Sequence, residues 1–223
     1  PSLIDFAREN GAGPGDLGLI YEGCISGRSG EELSDMMKGI ISTIHKSIDT
    51  GLKGTHYENR ILSQQSHLVT KAEKEGKIRE SVVNRIIANV TALMESKSAM
   101  EVIVAAPTAG SCGTVGGSLK AVSDNVGSSA DELVKAYFAA GIVGAYFARG
   151  PGFSAEEYGC QVECGAASGM AAAGIVQLMG GTAKQAVDAA SMAIQNMIGM
   201  ICDPVADRVE VPCLGKNINA AVN

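Results

Sequence analysis

At 223 residues the chain is long enough to build one substantial core, and a single domain over residues 1–223 is expected. A net charge of −6 with a pI near 5.1 offers no electrostatic footprint for nucleic acid or an anionic membrane, and 4% aromatic residues with no Trp leave no base-stacking platform. The longest apolar run, 170–179, is too short to span a bilayer, no signal-peptide pattern is present, and six cysteines fall far below disulfide-scaffold density, so the expectation is a cytosolic protein with reduced thiols and a small-molecule substrate.

In chain order, the first clear helix starts after Ser29. Ser29 and Glu32 have capping-box spacing, and Leu33, Met36, Met37, Ile40, Ile41, Ile44 and Ile48 follow at helical periodicity, with Gly51 and Gly54 expected to end it. A second helix is predicted over about 80–95, with Val82, Val83, Ile86, Ile87, Val90, Leu93 and Met94 on one face. The segment Glu101-Val-Ile-Val-Ala-Ala106 is the best strand candidate and reads equally as a short buried helix. Helix starts recur at Ser129 with Glu132, Ser154 with Glu157, and Thr182 with Gln185. The fold class is therefore all-α. The 28 glycines, about twice the average usage, lie within helical patterns and suit close helix packing.

Ala106-Pro-Thr-Ala-Gly-Ser-Cys-Gly-Thr-Val-Gly-Gly117 combines hydroxyls with glycines whose backbone N–H groups suit an anion. It matches neither the Walker pattern nor the dinucleotide fingerprint, and a helix-capping turn is the plain alternative. A helix over about 155–179 carries Cys160 near its first turn, where the dipole and free N–H groups lower a thiol pKa. Cys164 follows one turn on and competes with it as a ligand. Cys202 and Cys213 are expected in a loop stiffened by Pro204 and Pro212.

Three thiolates hold a metal centre and leave a coordination position open, which suggests catalysis. The wide separation of Cys160, Cys202 and Cys213 is unlike the close pairs of zinc ribbons, which disfavours zinc. Iron–sulfur clusters suit soft thiolates and gather ligands from distant segments; ordinary buried cysteines are the competing reading.

The contexts decide more than the spacing. Ala105-Ala-Pro-Thr-Ala-Gly-Ser-Cys-Gly113, Phe153-Ser-Ala-Glu-Glu-Tyr-Gly-Cys-Gln-Val-Glu163, Met170-Ala-Ala-Ala-Gly174, Gly199-Met-Ile-Cys-Asp-Pro-Val-Ala206 and Val209-Glu-Val-Pro-Cys-Leu-Gly-Lys-Asn217 closely resemble the iron–sulfur-dependent L-serine dehydratases, in their alpha subunit or alpha domain, from about Glu31 onward. The resemblance implies a helical fold, a [4Fe-4S] cluster on Cys160, Cys202 and Cys213, and conversion of L-serine to pyruvate and ammonia. It selects Cys160 over Cys164, makes Thr108, Gly110, Ser111 and Gly113 the expected substrate-binding residues, and leaves Cys112 a small neighbour.

An open iron would act as a Lewis acid on the serine hydroxyl while a base takes the α-proton. That base is unassigned, because His45, His56 and His67 each lack a catalytic context. Gly116 and Asp207 depart from the family's usual Pro and Gly. The family's further C-terminal helices and its beta-type Ser-Ser-His-Thr motif are absent, so a beta subunit, a homo-oligomer or both are expected partners. The alternatives are an inactive or regulatory helical fragment and a related hydro-lyase for another small hydroxy acid.

Overall fold

Among the residues described, 2–150 and 152–223, the computed structural model contains eleven α-helices and one 3-10 turn, and no strand beyond an isolated bridge between Val205 and Arg208. The all-α expectation holds. The helices are α1 (Leu3–Asn10), α2 (Pro14–Ser26), α3 (Gly30–Lys53), α4 (Ser66–Lys74), α5 (Val82–Ser98), α6 (Cys112–Val126), α7 (Ala130–Ala148), α8 (Ala155–Tyr158), α9 (Cys164–Leu178), α10 (Ala183–Asn196) and α11 (Glu210–Val222). No helix is long and apolar enough to cross a membrane among the described residues.

Local chemistry sets most boundaries. The Ser29/Glu32, Ser129/Glu132 and Thr182/Gln185 capping boxes all form, each satisfying otherwise orphaned N–H groups in its first turn. Ser154 does not cap through Glu157; its hydroxyl donates to Glu156, and the helix there lasts four residues. The expected 155–179 helix is thus two helices separated by the 3-10 turn Cys160–Val162. The 101–106 segment is neither strand nor helix. It runs as irregular chain, tied down by Ser47 Oγ donating to the Val102 carbonyl at 2.6 Å, and leads into a cis Ala106–Pro107 bond. Gly51 lies inside α3, and Gly54 caps it.

α6 and α9 form the centre. Residues 112–119 and 164–171 are buried throughout, because α6 packs on α5, α9 and α11 while α9 also carries α7 and α10. Ile48, Val90, Leu93, Met94, Val115 and Leu119 fill the space between α3, α5 and α6. Small residues permit this depth. A Cβ added at Gly51 would stand 2.0 Å from the Ala92 carbonyl oxygen, and one at Gly117 would stand 2.5 Å from the Val90 side chain.

The two roles of glycine on α3 can be separated. Gly51→Ala should destabilise the protein by about 1–3 kcal/mol through overpacking. Gly39→Ala, on the exposed face of the same helix with nothing within 4 Å, should stabilise it by about 0.5–1 kcal/mol. Urea denaturation of the two variants checks both signs.

Candidate metal centre and active site

Three segments meet at one end of the helical body: the glycine-rich segment entering α6, the break between α8 and α9, and the first turns of α11. Asn217, fully buried on α11, joins them. Its Nδ2 donates to the Gly110 carbonyl at 2.7 Å and to the Cys213 carbonyl at 2.8 Å, and lies 3.6 Å from Cys164 Sγ. Its Oδ1 accepts from Thr114 N and Thr114 Oγ1, both at 3.1 Å, so a side chain from α11 caps the N-terminus of α6.

Cys160 is placed by a chain reversal. Gly159, at φ 72°, lies so close to the 199–201 segment that a Cβ would stand 2.5 Å from the Met200 carbonyl oxygen. Gln161 N donates to that carbonyl at 3.2 Å, and Gln161 Oε1 accepts from Gly199 N at 3.1 Å. These bonds interrupt the helix and set Cys160 in a buried apolar cluster with Cys164, Met197, Met200 and Ala220. The Cys160 sulfur sits over the start of α9. There the Cys164 thiol hydrogen-bonds it, burial works against ionisation, and the Cys164 N–H and Lys216 ammonium help hold its pKa down to about 7. The Cys164 thiol is correspondingly pushed up by the same hydrogen bond and by burial.

Cys213 is not in a loop. It lies in the first turn of α11, because Glu210 opens the helix and Pro212 is tolerated where N–H groups have no intrahelical partner. Burial raises its thiol, the Lys97 and Lys216 ammonium groups lower it, and the Cys160 and Glu163 charges reinforce the rise. Cys202 does lie in the irregular segment before α11 and is exposed. Its two chain neighbours are both held by Lys216, whose Nζ donates to the Ile201 carbonyl at 2.5 Å and to the Asp203 carboxylate. Burial opposes the Lys216 charge, yet Asp203 and the Cys160 and Cys213 thiols keep its pKa raised. Among the described residues no three His, Cys, Asp or Glu side chains enclose a single metal ion.

In the glycine-rich segment, Thr108 and Gly110 are partly exposed, whereas Ser111 and Gly113 are buried. Thr108 Oγ1 donates to Glu163 Oε1 at 2.5 Å and lies 3.2 Å from Ser111 Oγ, while Gly113 packs against Val90 and Met94. Cys112 is a packing residue: burial pushes its thiol up to about 12, and its Sγ lies 3.9 Å from Met94 Sδ. Cys24 is exposed on α2. Gly116 faces Ile44 and Leu93 inside α6, so its departure from the family pattern falls at a packing position.

Three polar side chains that join the candidate site were not singled out by the sequence reading: Glu163, Lys216 and Asn217. All stand within the quoted motifs. A charged or amide side chain beside each cysteine was the available signal. The histidines lie elsewhere. His45 is half-buried in a polar pocket with Ser123 and Asp124, some 18 Å along α6 from Cys112 at 1.5 Å per residue, while His56 and His67 are exposed. An apolar cavity of about 800 Å³ lies between α1, α2, α7 and α10 and is lined by none of the cysteines.

Comparison with known proteins gives the chain relatives. Residues 17–223 match the family model described as serine dehydratase alpha chain. The chain is 32% identical to a probable L-serine dehydratase alpha chain of Bacillus subtilis, over 99% of this chain and 74% of that one. It is 32% identical to the L-serine dehydratase alpha chain of Peptoniphilus asaccharolyticus, over 99% and 76%, and 31% identical to L-serine dehydratase 1 of Escherichia coli, over 99% and 50%.

In the metal-free protein, thiolate ultraviolet absorbance should rise as pH increases through about 7, well below the ordinary thiol range, as Cys160 ionises. Cys164→Ala removes the main hydrogen bond to that thiolate, so the step should move to higher pH; Cys160→Ala should abolish it.

Proposed function

This chain belongs to the serine dehydratase alpha chain family, and on that premise we propose that it carries the cluster-bearing part of an enzyme converting L-serine to pyruvate and ammonia. The observation that carries the reading is the Lys216 ammonium, which bonds the Ile201 carbonyl and the Asp203 carboxylate on either side of Cys202 and lies by the Cys160 and Cys213 thiols. A cation beside the Cys160 and Cys213 thiols that also holds the neighbours of Cys202 fits a thiolate-ligated group, since it offsets charge that burial would otherwise disfavour.

The ligands we assign are Cys160, Cys202 and Cys213, holding a [4Fe-4S] cluster, a body large enough to span thiols that cannot close around one ion. When bound, such a cluster with an open iron supplies a Lewis acid for the serine hydroxyl. The chain's own residues do the rest of the binding. Thr108 and Gly110 take the polar end of the substrate, with Ser111 and Gly113 supporting them from beneath. Met197 and Met200 keep water from the Cys160 side, and Asn217 fixes the glycine-rich segment against α9 and α11. The base for the α-proton comes from a beta-type partner, a reading supported by the naming of the relatives as alpha chains and by the position of His45 on α3, beside the far end of α6.

Anaerobic reconstitution with ferrous iron and sulfide tests this. The wild-type chain should gain the visible absorption of an iron–sulfur cluster, and Cys160→Ala, Cys202→Ala and Cys213→Ala should each reduce it severely, while Cys24→Ala and Cys112→Ala should retain it. Pyruvate formation should need the partner and decay in air. Full activity after exhaustive chelation and aerobic handling would overturn the cluster reading.

A further inference from the structure

Glu163 occupies an unusual position for a carboxylate. As the residue preceding α9 it is placed where an acidic side chain ordinarily caps the helix, yet it makes no capping hydrogen bond. Its Oε1 instead accepts from Thr108 Oγ1 across the site, and Oε2 has no donor among the described residues. The approach is possible because Gly110 lacks a side chain: a Cβ there would stand 2.9 Å from both carboxylate oxygens.

A carboxylate here also works against the thiols, opposing the ionisation of Cys160, Cys164 and Cys213. A site shaped only to gather thiolates would gain from a neutral residue. Lys216, beside the Cys160 and Cys213 thiols, is taken by Asp203 and the Ile201 carbonyl, and Glu163 makes no ion pair among the described residues. Glu163 is therefore a partly exposed carboxylate with no cation paired to it at the junction between the cysteines and the glycine-rich segment. An α-amino acid brings the matching cation to it.

We propose that Glu163, oriented by Thr108 and given room by Gly110, accepts the α-ammonium group of the substrate and so makes the site select α-amino acids over their deaminated counterparts. This rests on the serine reading and narrows it, since a hydroxy-acid substrate would have no use for the charge.

The test is calorimetric titration of the cluster-loaded assembly of this chain with its beta-type partner, under anaerobic conditions. The probes are L-alanine, which keeps the ammonium and carboxylate but cannot lose water, and 3-hydroxypropionate, which lacks the amino group. Glu163→Gln should weaken L-alanine binding about 10- to 100-fold, as for loss of a charge-assisted hydrogen bond, and leave 3-hydroxypropionate within about twofold. The visible spectrum of the cluster should be unchanged in this variant. Unchanged L-alanine affinity, equal loss for both probes, or loss of the cluster spectrum would each overturn the role of Glu163. A wild-type assembly that binds neither probe nor L-serine would overturn the serine reading itself, and this proposal with it.

Discussion

The site depends on one buried carboxamide. Asn217 has no access to solvent, so each of its polar atoms needs a partner within the protein, and the partners come from three separate segments. Satisfying them sets the glycine-rich turn against α11, gives the first turn of α6 an acceptor it would otherwise lack, and brings Cys213 and Cys164 to one side of the same group. An apolar residue of similar size would fill the volume and leave the Thr114 N–H and the Gly110 carbonyl without those bonds, a cost of about 1–3 kcal/mol for each buried group left unpaired.

Around that joint, charge is distributed unevenly. Lys216 serves the cysteines and the irregular segment that carries Cys202, while Glu163 serves the glycine-rich turn. The two do not pair with each other, because Asp203 and the Ile201 carbonyl hold the ammonium and Thr108 holds one carboxylate oxygen. The result is a site with an ion pair, Lys216 and Asp203, toward the proposed cluster ligands and the unpaired Glu163 carboxylate toward the proposed substrate-binding turn.

The helices beneath are packed closely enough to hold these groups in place. With α6 and α9 buried along most of their length, the segments at their N-termini are anchored to a core built on Gly51, Gly117 and the alanines of α9. Close packing of this kind transmits little slack, so the ends of α6 and α9 present Cys112, Cys164 and their neighbours at defined positions. Glu95, fully buried, accepts from the N–H groups of Gln65 and Ser66 and from the Ser66 hydroxyl.

Much of the architecture was legible locally. The capping boxes at Ser29, Ser129 and Thr182 and the periodicity of α3 and α5 involve residues three or four apart, and an interaction of that range is written in the order of the chain. The motifs around Cys160, Cys202 and Cys213 marked the family for the same reason. Other features arose only in three dimensions. Nothing near Gly159 in sequence announces the Met200 carbonyl that breaks the helix there, and the helical start at Glu210 overrode the loop suggested by Pro212. Glu163 reaches Thr108, Lys216 reaches the backbone beside Cys202, and Asn217 reaches Thr114, each through contacts between residues far apart in the chain. The sequence by itself determined the helical class, most helix starts and the family; the tertiary structure decided which polar side chains share the site, because hydrogen bonds and charges act through space and take no account of distance along the chain.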